Sequence, residues 1–347
     1  MGKMVSRRDF LKRSALTAFS WPLLTVNHPY QLLTFDTEIV PSEILGRVLF
    51  NGTPSYTKPD DRSMSNGTYN FNDVVSLSQP ITGYSHSPRN DIWFGMENDS
   101  YIQSQNIQLV QNTLNHPRED VTPSGQLAEI TVPFSEAWPR DKQDTRSHQI
   151  FFYGSIHWVY GLGKDPDRNL YYLVSEDRWG ESYYVNASHL RIINDVELLP
   201  VSPKLELESK TILVDTKNQV LIAYENNTPV MISAISSGLS SKNLNLITPV
   251  GEYSINYKRP TRHMVHSDKV GINDSELYGV PWVSYFTDSG IAFHGTYWHN
   301  DYSLPRSHGC VNLPIHAAHW IYLWTDPVVP PRAKKHVSRF GTRVEVI

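Results

Sequence analysis

The chain has 347 residues, 39% apolar and 19% charged, with 31 basic side chains against 35 acidic ones for a net charge of −4. That length holds two or three ordinary domains, and the near balance of charge leaves no basic footprint for a nucleic-acid partner. The 19 tyrosines and 9 tryptophans, beside 19 glycines and 23 prolines, favour β structure over helical bundles.

The first segment, 1–30, reads as an address. Ser6-Arg7-Arg8-Asp9-Phe10-Leu11-Lys12 fits the twin-arginine export pattern, and the modest apolar stretch from Ser14 to Val26, interrupted by Pro22, suits a signal h-region and is short for a membrane span. The expected partner is the twin-arginine export machinery, and the expected location is extracytoplasmic, in the cell wall or periplasm. Ala18-Phe19-Ser20 has small residues at cleavage spacing but lies early, so an uncleaved signal acting as a membrane anchor stays open.

Two blocks of short β-like runs follow. In 44–111, Val74-Val75-Ser76-Leu77, Ile92-Trp93-Phe94 and Tyr101-Ile102 are separated by Asn, Asp, Gly and Pro clusters. In 127–197, Trp158-Val159-Tyr160, Leu170 to Val174 and Tyr183-Tyr184-Val185 repeat the logic. Each block ends on an aromatic strand, a turn, an aromatic-aliphatic pair and a short closure, as a small barrel does. Both resemble bacterial SH3-like domains, each of a size at which one small core just sustains a fold. The stretch Asn112 to Gln126 reads as a linker, and Pro200 to Pro203 marks the next boundary.

The third block, 204–347, opens with a hairpin: Thr211 to Asp215 and Gln219 to Tyr224 joined at Thr216-Lys217-Asn218. Further strands are expected at Val230 to Ser236, Thr248 to Ile255, Val280 to Phe286, Ile291 to His294 and Gly341 to Ile347, with one helix at Pro314 to Trp324. The charged stretch Arg259 to Glu276 reads as a loop able to cap a cleft.

The only cysteine, Cys310, lies in Ser307-His308-Gly309-Cys310-Val311-Asn312, downstream of His294-Gly295-Thr296. One thiol makes no internal disulfide, and an isolated cysteine is often just a small buried hydrophobe. Here glycine and histidine surround it and a second histidine precedes it, which is the make-up of a cysteine nucleophile with a general base. This pattern resembles the L,D-transpeptidase catalytic (YkuD) family of bacterial cell-wall enzymes, and Thr248-Pro249-Val250-Gly251-Glu252-Tyr253 with the closing Gly341-Thr342-Arg343-Val344 extends the resemblance over the whole block. The expected fold is mainly β: two small SH3-like barrels, then a β-rich catalytic domain with one or two short helices.

The resemblance implies that Cys310 attacks a peptidoglycan stem peptide, that His294 is base and then acid, and that the Gly295 carbonyl orients it. Gly309, before the nucleophile, allows a tight turn, and the backbone N–H groups of Gly309 and Cys310 are candidate oxyanion donors, worth ~3 kcal/mol each. His308, Ser307 and Asn312 are candidates for securing this loop or meeting substrate. Tyr278, Trp282, Tyr297 and Trp298, together with Tyr285, are candidate walls of a peptide cleft, against the alternative of core packing. Arg306 and Lys258 are candidate partners for a substrate carboxylate.

No cofactor is implied. Zinc is the competing reading, because His294, His299, His308, His316, His319 and Cys310 crowd 294–319, but neither Cys-x-x-Cys nor His-Glu-x-x-His is present and no metal is expected. His299, His316 and His319 read as surface or packing residues. The activity implied is acyl transfer from a tetrapeptide stem through a thioester to an amine, cross-linking the wall, with wall glycan contact through the SH3-like domains. A hydrolase using the same thioester, acting as a carboxypeptidase on stem peptides, and a non-catalytic wall-binding protein are the alternatives.

Overall fold

The computed structural model describes residues 44–87, 89–140, 148–165, 167–239, 246–266 and 275–347. The segment 1–30, read above as an export signal, lies outside the described residues.

The first sheet contains β1 (Ile44–Val48), β2 (Thr53–Tyr56), β3 (Ser65–Tyr69), β4 (Val74–Thr82), β5 (Ile92–Met96), β6 (Tyr101–Gln103) and β7 (Ile107–Val110), ordered β3-β2-β6-β5-β4-β1-β7. The second contains β8 (Gln126–Ile130), β9 (Phe134–Pro139), β10 (Gln149–Phe152), β11 (Ile156–Lys164), β12 (Leu170–Ser175), β13 (Ser182–Asn186) and β14 (Leu190–Ile192), ordered β10-β9-β13-β12-β11-β8-β14. Strand for strand the two orders are the same. In each sheet the long fourth strand shifts register against the fifth, and a 3₁₀ turn (Ser104–Asn106, Ala187–His189) precedes the last strand. Their cores are separate: Val48, Leu77, Phe94, Ile102 and Ile107 fill one, and Phe151, Tyr172, Val174, Tyr183 and Val185 are central to the other.

The third block has two sheets and one helix. β15 (Lys210–Asp215), β16 (Val220–Glu225), β17 (Thr228–Ala234) and β18 (Gly251–Ser254) combine with the last strand, while β19 (Tyr257–His266), β20 (Ser275–Tyr285), β21 (Ala292–Gly295) and β22 (Val311–Leu313) form the second sheet. Next come α1 (Ile315–Trp324), β23 (His336–Val337) and β24 (Arg343–Val346). The sheet orders are β17-β16-β15-β24-β18 and β22-β21-β20-β19-β23. Ile212 and Val214 on β15, with Leu221 and Ala223 on β16, are buried at every second position, as strands with one face on a core require. Ala318 and Ile321 of α1 close that core from the other side, and Leu127, Ile156 and Trp158 of the second sheet join it.

The segment Arg259 to Glu276 is not a loop throughout. Arg259 pairs with Val283 and Met264 with Leu277 in the long β19–β20 ladder, and only 267–274 lie outside the described residues. The misleading signal was charge. Asp177, from the turn between β12 and β13, pairs with both Arg259 and Arg262 (2.7 Å to the latter), so a neighbouring sheet supplies the counter-ion that makes a strand there tolerable.

Candidate active site

The site is built where β21 and β22 run side by side in parallel, with Phe293 opposite Val311, His294 opposite Asn312 and Gly295 opposite Leu313. Cys310 is the residue immediately before β22, so the ladder that fixes Val311 also fixes the root of the thiol. His294 and Cys310 both open on one cleft of about 1350 Å³, and His308, Ser307, Asn312, Trp298 and Arg306 line it too. Beneath the cysteine lies a small apolar cluster of Val280, Val283 and Ala292.

His294 is 2% exposed, and its Nδ1 lies 3.2 Å from the Gly295 carbonyl oxygen. Nδ1–H donating to that carbonyl leaves Nε2 as the free base position. Burial pushes the imidazole down to about 4, partly offset by the Gly295 contact. Gly295 has a packing reason as well: a Cβ there would meet Pro281 Cγ at 2.8 Å and Ile315 Cα at 3.2 Å.

Cys310 is half-buried, with Sγ 4.0 Å from the Gly290 carbonyl. Desolvation pushes its thiol above the ordinary range, while the Ala292 N–H pulls the other way. Both shifts favour uncharged partners, so at neutral pH the pair rests as thiol and imidazole. A pair of this kind is activated when proton transfer and attack occur together.

The turn before Cys310 is tied down at several points. Gly309 holds φ +115°, a conformation side chains rarely adopt, and its carbonyl accepts from Thr248 Oγ1 at 2.8 Å. Ser307 Oγ accepts the Gly309 N–H at 3.1 Å and donates to the Cys310 carbonyl. The Gly309 amide is thus committed to Ser307, which removes it as a ready oxyanion donor. Ser307 N donates to Ser237 O at 3.0 Å and Leu239 N to Ser307 O at 2.9 Å, so the turn leans on the stretch after β17. His308 is exposed on the cleft.

Asn312 does not secure that turn. Its Nδ2 donates to His299 Nε2 at 2.8 Å, His299 Nδ1 lies 3.0 Å from Asp301 Oδ1, and Asp301 pairs with Arg306 Nε. The Asp301 carboxyl is held below the usual carboxylate range by His299 and Arg306 against the opposing effect of burial. His299, read from sequence as a surface or packing residue, is therefore a buried element of the cleft wall. A histidine in a Trp-His-Asn-Asp run carries no periodic signal, and only the return of 306–312 across β21 reveals its partner.

Among the aromatic candidates, Trp298 alone of the four lines the cleft, with its ring 5.7 Å from that of His294; Tyr285 lines it as well. Tyr278 (5% exposed) packs into the second sheet's core and stacks on His263, while Tyr297 (2%) donates to Tyr278 O at 2.8 Å. Trp282, at φ +61°, stacks on His319 at 4.0 Å beneath α1. For these three the packing alternative holds. Lys258 is also misplaced as a substrate contact: it is 1% exposed, and Nζ donates to the Tyr322 and Thr325 carbonyls at 2.6 and 2.7 Å, capping the C-terminus of α1. Burial lowers its ammonium to about 7. Arg306 lines the cleft, half exposed, but is already paired with Asp301.

Among the described residues no group of three or more His, Cys, Asp or Glu gathers as metal ligands would. Among the described residues no helix is long and apolar enough to cross a membrane.

Residues 209–346 match the family model of the L,D-transpeptidase catalytic domain, YkuD. No curated protein matches the sequence. Among solved structures, an L,D-transpeptidase from Xylanimonas cellulosilytica is 27% identical over 40% of this chain and 60% of that one, at a TM-score of 0.28. A cysteine-to-serine variant of an L,D-transpeptidase from Enterococcus faecium is 20% identical over 42% of this chain and 51% of that one, at 0.31. An L,D-transpeptidase from Mycobacterium smegmatis is 16% identical over 69% of this chain and 93% of that one, at 0.32. The chain spans 50% to 60% of the length of the first solved structures it matches.

Proposed function

We propose that the protein is a peptidoglycan L,D-transpeptidase whose nucleophile is Cys310. The observation that carries this is the opening of Cys310 and His294 onto one cleft from adjacent parallel strands, within the segment that matches the family model. His294 Nε2 takes the thiol proton as Sγ attacks the carbonyl carbon of the L-to-D peptide bond in a tetrapeptide stem. The tetrahedral oxyanion is met by the Cys310 amide, a role in which one backbone donor contributes ~3 kcal/mol. As the C–N bond breaks, the imidazolium returns its proton to the departing amine of the terminal D-alanine, leaving a thioester on Cys310. An amine of a second stem then attacks that thioester, His294 accepts its proton, and the thiolate leaves and is reprotonated. A new amide joins two stems.

Trp298 forms a wall for the peptide, His308 stands at the rim, and Ser307 holds the turn that aims the thiol. The chain divides into an export segment over 1–30, SH3-like modules over 44–111 and 127–197, and the catalytic domain over 204–347, with the two modules contacting wall glycan. The shared strand order of the first two sheets supports the modular reading, and the twin-arginine pattern supports export to the wall or periplasm.

The test is incubation of the purified protein with a disaccharide-tetrapeptide, with products followed by mass. Cross-linked dimer together with released D-alanine is expected. Free D-alanine without dimer would indicate hydrolysis of the thioester, and no turnover would leave a binding protein.

A further inference from the structure

We infer that the first β module is a working part of the acyl-transfer site: it clamps the loop after β21, and Arg47 and Asn300 are positioning residues for the chemistry. This rests on the reading of His294 and Cys310 as base and nucleophile. The loop 296–306 presents Trp298, His299 and Arg306 to the cleft, with Trp298 against the His294 ring and His299 on Asn312, the residue opposite His294 in the ladder. Its first residue is held by its own sheet, through Thr296 N to Leu313 O at 3.0 Å. The stretch between is held by its own block, through Ser303 N to Ile235 O at 2.8 Å and Arg306 N to Ser237 O at 2.9 Å, and also from outside it.

Arg47, on β1, is 1% exposed, and its Nη2 donates to the Tyr297 carbonyl at 2.7 Å. Nε and Nη2 also donate to Gln108 Oε1, at 3.0 and 2.6 Å, and Nη1 donates to Asn72 Oδ1 at 2.8 Å. The guanidinium lies 4.3 Å from the ring centre of Phe152 in the second module. All these acceptors are neutral, and burial lowers the group to about 10. A buried guanidinium without a carboxylate is costly, and its rigid fork binds several fixed acceptors at once, which suits a device that sets geometry. Two further contacts run the same way. Asn300 Nδ2 donates to the Ser104 and Ile107 carbonyls of the first module at 3.2 and 2.9 Å, and Arg89 Nη1 donates to Ser303 O at 2.8 Å. Module one therefore grips Tyr297, Asn300 and Ser303, the residues flanking Trp298, His299 and Asp301.

The experiment measures single-turnover acylation of Cys310 by a stem tetrapeptide, as a function of peptide concentration, in the full chain and in Arg47→Met and Asn300→Ala, with folding checked by circular dichroism and thermal unfolding. The expected result is a saturating rate lowered tenfold or more, with half-saturation changed less than threefold and acylation partly restored in Arg47→Lys. Should Arg47→Met fail to fold, Asn300→Ala, on a half-buried loop, carries the test. Folded variants that are acylated at the wild-type rate, even with lowered thermal stability, would overturn the inference and reduce the clamp to domain glue. A wild-type chain that is not acylated would overturn the catalytic reading and this inference with it.

Discussion

His294 and Cys310 are each displaced toward the neutral form, one by burial in β21 and the other by the apolar floor beneath it. A resident thiolate–imidazolium pair would need the opposite displacements. Alkylation of Cys310 by iodoacetamide should therefore climb with pH through 9 and show no plateau near pH 5. Rates measured from pH 4 to 10 check this, and a plateau beginning in the acid range would reveal a standing ion pair. Residue types and their neighbours made Cys310 and His294 legible as candidates, and the family resemblance implied the role of Gly295. His299 was missed, and Tyr278, Trp282, Tyr297 and Lys258 were over-read, since aromatic rings and cations near a motif look alike in sequence whether they face a cleft or a core.

At the scale of elements, the site depends on how closely β21 approaches its neighbours. Gly295 sits against Pro281 of β20 and Ile315 of α1, where the first atom of any side chain would be too close. Gly295→Ala should cost about 1–3 kcal/mol as an overpacked core position and should also slow acylation, because the carbonyl that orients His294 moves with it. Urea unfolding and Cys310 acylation rates check both, and an unchanged midpoint would show that β20 and α1 yield freely. Strand alternation in β15 and β16 and the helical face of α1 could be read from period alone. The β19–β20 ladder could not, because Arg259 and Arg262 are balanced by Asp177 from a different sheet, and no local pattern carries that information.

At the scale of the molecule, two buried histidines and a half-buried third, on different elements, couple folding to acidity. Burial holds His157 at about 3, and His294 and His319 at about 4, all below the ordinary 6.5. Below pH 6.5 the unfolded chain binds protons that the folded chain refuses, so stability is full above that value and drains as pH falls toward 4. The loss approaches roughly 1.4 kcal/mol per pH unit for each fully buried histidine. Glu176, held at about 2 by His263 and the backbone amides of its turn against the effect of burial, adds a separate loss below pH 4.5, where the unfolded chain takes up a proton that the folded carboxylate refuses. Urea midpoints should therefore drop between pH 6.5 and 5, and a flat profile there would contradict the burial argument. The repeated sheet order was foreshadowed by matching aromatic block endings, whereas the seam where Arg47 meets Tyr297 joins residues with no sequence signal linking them.

The most direct measurement is intact and peptide-mapped mass spectrometry after brief exposure of the full chain to a stem tetrapeptide. A thioester adduct of the acyl tripeptide on Cys310, absent in Cys310→Ala and much slower to form in His294→Ala, is the predicted result. An adduct at another residue, or none while the peptide is nonetheless processed, would contradict the central claim.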